Sequence, residues 1–121
     1  MRKVLIVAIA TSLAVAATSA LAQPQGLAKA NGGWASGDGK ALYTFDNDAV
    51  GKSNCTGGCT SFWPPFAAAT DAKPDTDWTV ITRDDGSKQW AYKGKPVYLF
   101  SRDLPGKPPM GESVQNWKMV R

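Results

Sequence analysis

One fourteen-residue stretch occurs twice in this chain. Gly39–Lys52 (GKALYTFDNDAVGK) aligns without a gap on Gly94–Lys107 (GKPVYLFSRDLPGK), with seven of the fourteen positions identical at an offset of 55 residues. Trp34 and Trp90 precede the two copies, and Trp63 and Trp117 follow them at similar distances. Self-similarity at such a period marks a supersecondary unit that cannot bury its apolar face alone. Two copies are too few for a solenoid, so the halves are expected to pack against each other in one small domain.

The local pattern within each copy is β. Trp78 to Arg83 is rich in β-branched residues, Asp84-Asp85-Gly86 is a turn signal, and Lys88 to Tyr92 reads as a returning strand. Lys93-Gly94 suits a tight turn into a third strand, Lys95 to Phe100. Period-two alternation puts Val97 and Leu99 on one face of that strand and Tyr98 and Phe100 on the other. The first half reads as a glycine-rich version, with strands at Trp34-Ala35 and Lys40 to Phe45. A last strand is expected within Gln115 to Val120. No segment after the N-terminal region has a helical period of ten residues; one helical turn is expected near Cys59 to Phe62, stopped by Pro64-Pro65. The fold class is therefore mostly β: two tandem related halves of short antiparallel strands, about 26–66 and 78–121, joined by a linker at about 67–77.

The N-terminus reads as an export signal. Arg2 and Lys3 precede an apolar run from Val4 to Ala17, and Ala20-Leu21-Ala22 supplies a small-x-small cleavage site. Cleavage after Ala22 leaves 99 of the 121 residues as a single β domain, 23–121. The run is short for a span, which needs about 20 apolar residues, so the mature form is expected to carry no transmembrane segment and to be periplasmic or secreted. Losing Arg2 and Lys3 from 14 basic and 10 acidic residues leaves a net charge of about +2. That is too weak and too dispersed for a nucleic-acid partner.

In an oxidising compartment the two cysteines, Cys55 and Cys59, are expected to pair. The loop they close holds only Thr56-Gly57-Gly58, and chain entropy assigns such a small loop about 2 kcal/mol. A redox-active pair is the alternative, although its three-residue spacer differs from the two-residue spacer of thioredoxin-like sites. Histidine is absent from the chain. This excludes Ser-His-Asp and Cys-His nucleophile systems and removes the usual ligands of zinc, haem and copper. No cofactor and no metal are assigned. Carboxylate pairs for glycoside hydrolysis are conceivable, but Asp84 and Asp85 read best as turn residues, and no catalytic residue is assigned.

Each copy carries a Tyr-x-Phe-x-x-Asp motif, Tyr43/Phe45/Asp48 and Tyr98/Phe100/Asp103. Between them stand Cys55-Thr56-Gly57-Gly58-Cys59, Trp63-Pro64-Pro65, Arg83-Asp84-Asp85-Gly86 and Gln89-Trp90-Ala91-Tyr92-Lys93-Gly94. In this order the chain resembles the bacterial secreted-repeat family, also described as predicted lipoproteins with a Tyr-x-[Phe/Trp/Tyr]-x-x-Asp motif. The resemblance covers roughly Gly33 to Val120 and implies an envelope location and a two-repeat architecture; it implies no activity. Many members of that family carry a lipidated cysteine, whereas none follows the apolar run here.

Tyr and Phe two apart on a strand share a face and can fill a core. The Asp then lies where the strand ends, placed to accept N–H groups from the turn ending in Gly51 or Gly106. The alternative is that Asp48 and Asp103 form a shared ligand or cation site at the axis relating the halves. With five Trp, three Tyr and four Phe, some rings are expected at the surface. Trp63, Trp90 and Tyr92 are the candidate binding surface, for an envelope protein, a glycan or a small ligand. The expected role is a non-enzymatic binding or structural module. The alternative is a thiol-disulfide or electron-transfer-associated protein using Cys55 and Cys59.

Overall fold

The computed structural model describes residues 23–121; the expected signal at 1–22, with its cleavage site, lies outside the described residues. Strands β1 (Ala28–Ala30) and β2 (Gly33–Ala35) form a hairpin. Strand β3 (Tyr43–Phe45) follows, then a one-turn helix α1 (Cys59–Phe62), then strands β4 (Trp78–Thr82), β5 (Lys88–Tyr92) and β6 (Lys95–Tyr98). A 3-10 turn (Gly111–Ser113) and strand β7 (Trp117–Met119) end the chain. All pairings are antiparallel, and the larger sheet runs β4-β5-β6-β3-β7. The architecture is thus mostly β, in two related halves.

Turn chemistry fixes the hairpins. β1 and β2 meet at Asn31-Gly32, both with positive φ (54° and 79°), the left-handed pair that a two-residue hairpin demands. Lys93-Gly94 repeats this device between β5 and β6, with φ of 49° and 83°. β1 was not expected, because Ala28-Lys29-Ala30 has no β-branched residue. It exists because its turn and its pairing with β2 impose it.

The two copies are related by an approximate two-fold axis that passes between their tyrosines. Tyr43 and Tyr98 are direct cross-strand partners. Backbone bonds on either side come in matched pairs. The Phe66 N–H donates to the Val97 carbonyl at 2.9 Å, as Val120 does to Leu42 at 2.8 Å. The Trp90 N–H donates to the Phe66 carbonyl at 2.9 Å, as Trp34 does to Val120 at 2.7 Å. These bonds cross between halves: the end of the first half lies in the sheet of the second, and the reverse. Ala67 bridges Gln89, and the Ala68 N–H donates to Lys88. Residues 66–68 therefore belong to the sheet, and the connection expected from residue 67 begins after 68.

Strand alternation sorts the apolar side chains into two clusters. Tyr43, Tyr98 and Phe100 pack with Trp63, Trp117, Met119 and Cys55. Leu42 and Val97 pack with Trp78, Trp90 and Val120 on the other side. At the centre of the first cluster, Trp63 and Trp117 lie face to face, with ring centroids 3.7 Å apart and planes 3° apart. Phe45 stacks on Trp117 at 4.5 Å, and Phe100 stacks on Trp63 at 4.4 Å. The result is a column of four rings, Phe45·Trp117·Trp63·Phe100, in which each phenylalanine stacks on the tryptophan of the other half. Each such pair adds about 0.5–1.5 kcal/mol beyond simple burial.

Because both tryptophans occupy equivalent places in this column, Trp63→Ala and Trp117→Ala should each lower stability by about 3–5 kcal/mol. Denaturant unfolding followed by circular dichroism should show one transition for the native chain and for each variant. Two separated transitions would mean that the halves fold independently.

Candidate functional site

Each Tyr-x-Phe-x-x-Asp motif is built the same way. The strand places Tyr and Phe on the inner face, and a turn then reverses the chain, with the Asp48 N–H bonded to the Phe45 carbonyl and the Asp103 N–H to that of Phe100, both at 3.0 Å. The carboxylates turn inward and are buried, at 6% exposure for Asp48 and 4% for Asp103. Burying a carboxylate is costly unless donors surround it. One donor of each set comes from the opposite half and one from the same half. The Tyr98 hydroxyl donates to Asp48 Oδ2 at 2.6 Å, and the Tyr43 hydroxyl donates to Asp103 Oδ2 at 2.5 Å. The second oxygens accept the N–H groups of Asn54 (2.6 Å) and Met110 (2.9 Å). These donors lie beyond the turns at Gly51 and Gly106 from which bonds were expected.

Each phenol oxygen also accepts a bond. Gly111 N–H donates to Tyr43 at 3.1 Å. Since the Tyr98 proton is committed to Asp48, Ser53 Oγ is the donor to Tyr98, at 2.5 Å. Burial, reinforced by the bond to Asp48, pushes the Tyr98 hydroxyl up to about 12. Burial and then Asp103 push Tyr43 up further.

On the Tyr98 side the network continues. Arg83 Nη1 donates to Ser53 Oγ (2.9 Å) and to Gln89 Oε1 (2.7 Å), and Nη2 donates to the Cys55 carbonyl (2.6 Å). Gln89 is fully buried, and its amide donates to the Val97 carbonyl at 2.7 Å. Sequence reasoning gave Ser53, Arg83 and Gln89 no role. The one signal was a glutamine on the same strand face as Ala91, a polar side chain at a core register. Cys55 and Cys59 are joined by a disulfide, with Cys55 buried in the aromatic cluster and Cys59 packed on its edge.

The candidate binding surface is not assembled. Trp63 and Trp90 are 5% and 3% exposed, because the first sits in the ring column and the second packs against Trp78. Tyr92 alone is half-buried, packed on Trp78, with Lys93 Nζ 5.3 Å from its ring. Nor do Asp48 and Asp103 converge on one site, since each is enclosed by its own set of donors. Among the described residues, no three His, Cys, Asp or Glu side chains are grouped to hold a metal ion.

A concave feature lies elsewhere. An open cleft of about 470 Å³ separates the disulfide loop from the β4–β5 turn. Thr56 and Thr60 line one wall, and Arg83, Asp84, Asp85 and Lys88 the other. Its lining mixes these polar groups with Gly57, Pro65 and Ala67 and holds no aromatic ring. Of its acidic residues, Asp84 is met by the Lys52 ammonium at 2.6 Å, and Asp85 accepts the Ser87 N–H and hydroxyl at 2.9 and 2.6 Å.

A family model described as a secreted repeat of unknown function matches residues 34–67 and again residues 79–120. No curated protein and no solved structure matches the chain.

Two predictions follow from the buried pairs. A tyrosine whose folded pKa is raised contributes its full stabilisation below the unfolded value of about 10, and loses it as pH climbs towards the folded value. In a Tyr92→Phe background, phenolate absorbance should therefore stay near zero past about pH 10 and rise only as the fold is lost. Ionisation in the intact fold near pH 10 would contradict the buried bonds. Separately, a Cβ at Gly111 would stand 2.4 Å from Tyr43 Cε1, whereas nothing lies within 4 Å of one at Gly58. Thermal unfolding should show Gly111→Ala destabilised by about 1–3 kcal/mol and Gly58→Ala within about 0.5 kcal/mol of the native chain.

Proposed function

The chain belongs to the family of secreted repeats of unknown function, and on that premise we propose that it serves as a rigid, non-enzymatic binding module of the cell envelope. The observation that carries this reading is the full internal use of the repeat motif. Both tyrosines, both aspartates, both phenylalanines and the two central tryptophans are spent on holding the halves together. None is left to act on a substrate. The cleft beside them offers hydroxyls, a guanidinium and rim charges, the mixture of orienting polar groups that a small ligand meets in a preformed site. The hydroxyl–carboxylate contact it holds, Ser87 to Asp85, is a bond within the β4–β5 turn that the Ser87 N–H shares. One wall is the loop closed by the disulfide and the other is clipped to it through Arg83 and the Cys55 carbonyl, so the cleft is held in shape without a ligand.

In this reading the disulfide is a brace. Cys55 is completely buried, which denies an attacking thiolate one of the two sulfurs. The alternative, thiol-disulfide exchange, requires accessible sulfurs and a potential in the range of catalytic oxidoreductases.

The test is the reduction potential of the Cys55–Cys59 pair, measured against glutathione and dithiothreitol buffers. A brace should have a potential below about −300 mV, and reduction should lower the melting temperature. A value between about −120 and −270 mV, with the fold unchanged on reduction, would favour the exchange reading instead.

A further inference from the structure

The Arg83 guanidinium lines the cleft with donors still unspent. Among the described residues the ion pairs are Lys52–Asp84, Lys118–Asp46 and Arg121–Glu112, so the Arg83 guanidinium has no carboxylate partner. A guanidinium carries five N–H donors. Both on Nη1 are spent, on Ser53 and Gln89, and one on Nη2 is spent on Cys55. The Nε–H and the second Nη2–H remain. Trp34 Nε1 is the one buried side-chain polar atom without a partner among the described residues, so the unbonded Arg83 Nε is reached by solvent, on a side chain that lines the cleft. An Nε–H beside an Nη2–H is the fork that takes a carboxylate through two parallel bonds.

The fork is also preorganised. Three hydrogen bonds hold the half-buried side chain, so most of the rotamer freedom that an arginine ordinarily loses on binding is already gone. The surrounding charges select the ligand further. Lys88 adds a positive charge to the wall. Asp84 is answered by Lys52, and Asp85 is turned onto Ser87. With Asp84 and Lys52 cancelling, Arg83 and Lys88 against Asp85 leave one net positive charge, which matches a singly charged anion better than a doubly charged one. On the facing wall Thr56 offers its hydroxyl to a polar substituent, and Thr60, whose hydroxyl donates to the Gly57 carbonyl at 2.7 Å, can accept. We propose that this cleft binds a small, hydroxyl-bearing carboxylate, held side-on by Arg83 Nε and Nη2. The proposal rests on the binding-module reading and names its ligand class.

The experiment is an amide and guanidinium NMR titration of the full mature chain with galacturonate and with galactose, which share a ring and differ in the carboxylate. Galacturonate should shift the Arg83 Nε–H and the amides of Thr56, Gly57 and Ser87, while galactose should not. Arg83→Lys keeps the charge, loses the fork and should weaken binding about tenfold. Because Arg83 also clips the Cys55 loop, Asp85→Asn serves as the second variant. It leaves every Arg83 bond in place, removes a repelling rim charge and should tighten binding about twofold. Equal shifts with both sugars would overturn the carboxylate assignment and leave the cleft as a binding site. Tighter binding of inorganic phosphate than of galacturonate would overturn the selection of a single charge. No shift with any of the three at millimolar concentration would overturn both the assignment and the binding-module reading.

Discussion

Two carboxylates are buried in this small β domain, and the fold is organised around satisfying them. Asp48 and Asp103 each need donors once removed from water, and each finds the decisive one, a tyrosine hydroxyl, in the other half. A buried carboxylate stripped of its partner costs about 3–5 kcal/mol, a large share of a total stability of about 5–15 kcal/mol. Neither half can therefore satisfy its own motif. The crossing extends to the ring column, where each phenylalanine stacks on the opposite tryptophan, and to the strands at 66–68 and 117–120, each hydrogen-bonded into the partner half. Duplication has produced one interlocked unit out of two incomplete ones.

Symmetry ends where the cleft begins. The second half connects its hairpin strands, β4 and β5, through the Arg83–Ser87 turn, whereas the first connects β1 and β2 through Asn31-Gly32 alone. The first half follows its motif with a disulfide loop and α1, whereas the second has the 3-10 turn at Gly111–Ser113. The cleft needs the long turn of one half and the disulfide loop of the other. The shared motif holds the structure, and the unshared segments carry the polar surface available for recognition.

Much of the scaffold was legible in the residues. The fourteen-residue repeat announced the duplication, and period-two alternation at Val97 to Phe100 divided the side chains between the two clusters in which they lie. The turn signals located β4, β5 and β6. Strand β1 escaped because its composition argues against a strand, although Asn31-Gly32 marks a hairpin. The crossing was not legible, because a spacing of five residues from Tyr to Asp fits a bond within a copy as well as one between copies. Nor did the sequence distinguish a surface tryptophan from a central one: Trp63 stands between Phe62, which is exposed, and two prolines, yet it lies in the ring column. Arg83 and Gln89 were hidden for a related reason, since a long-range polar network leaves no local pattern.

A double-mutant cycle on the two tyrosine–aspartate sets measures the crossing directly. Stabilities of Tyr43→Phe, Asp103→Asn and the double variant should reveal a coupling of about 1–3 kcal/mol, and so should Tyr98→Phe with Asp48→Asn. Tyr43→Phe with Asp48→Asn, the pair within one copy, should be additive within about 0.5 kcal/mol. Coupling confined to the pairs within a copy, with none between copies, would contradict the interlocked architecture.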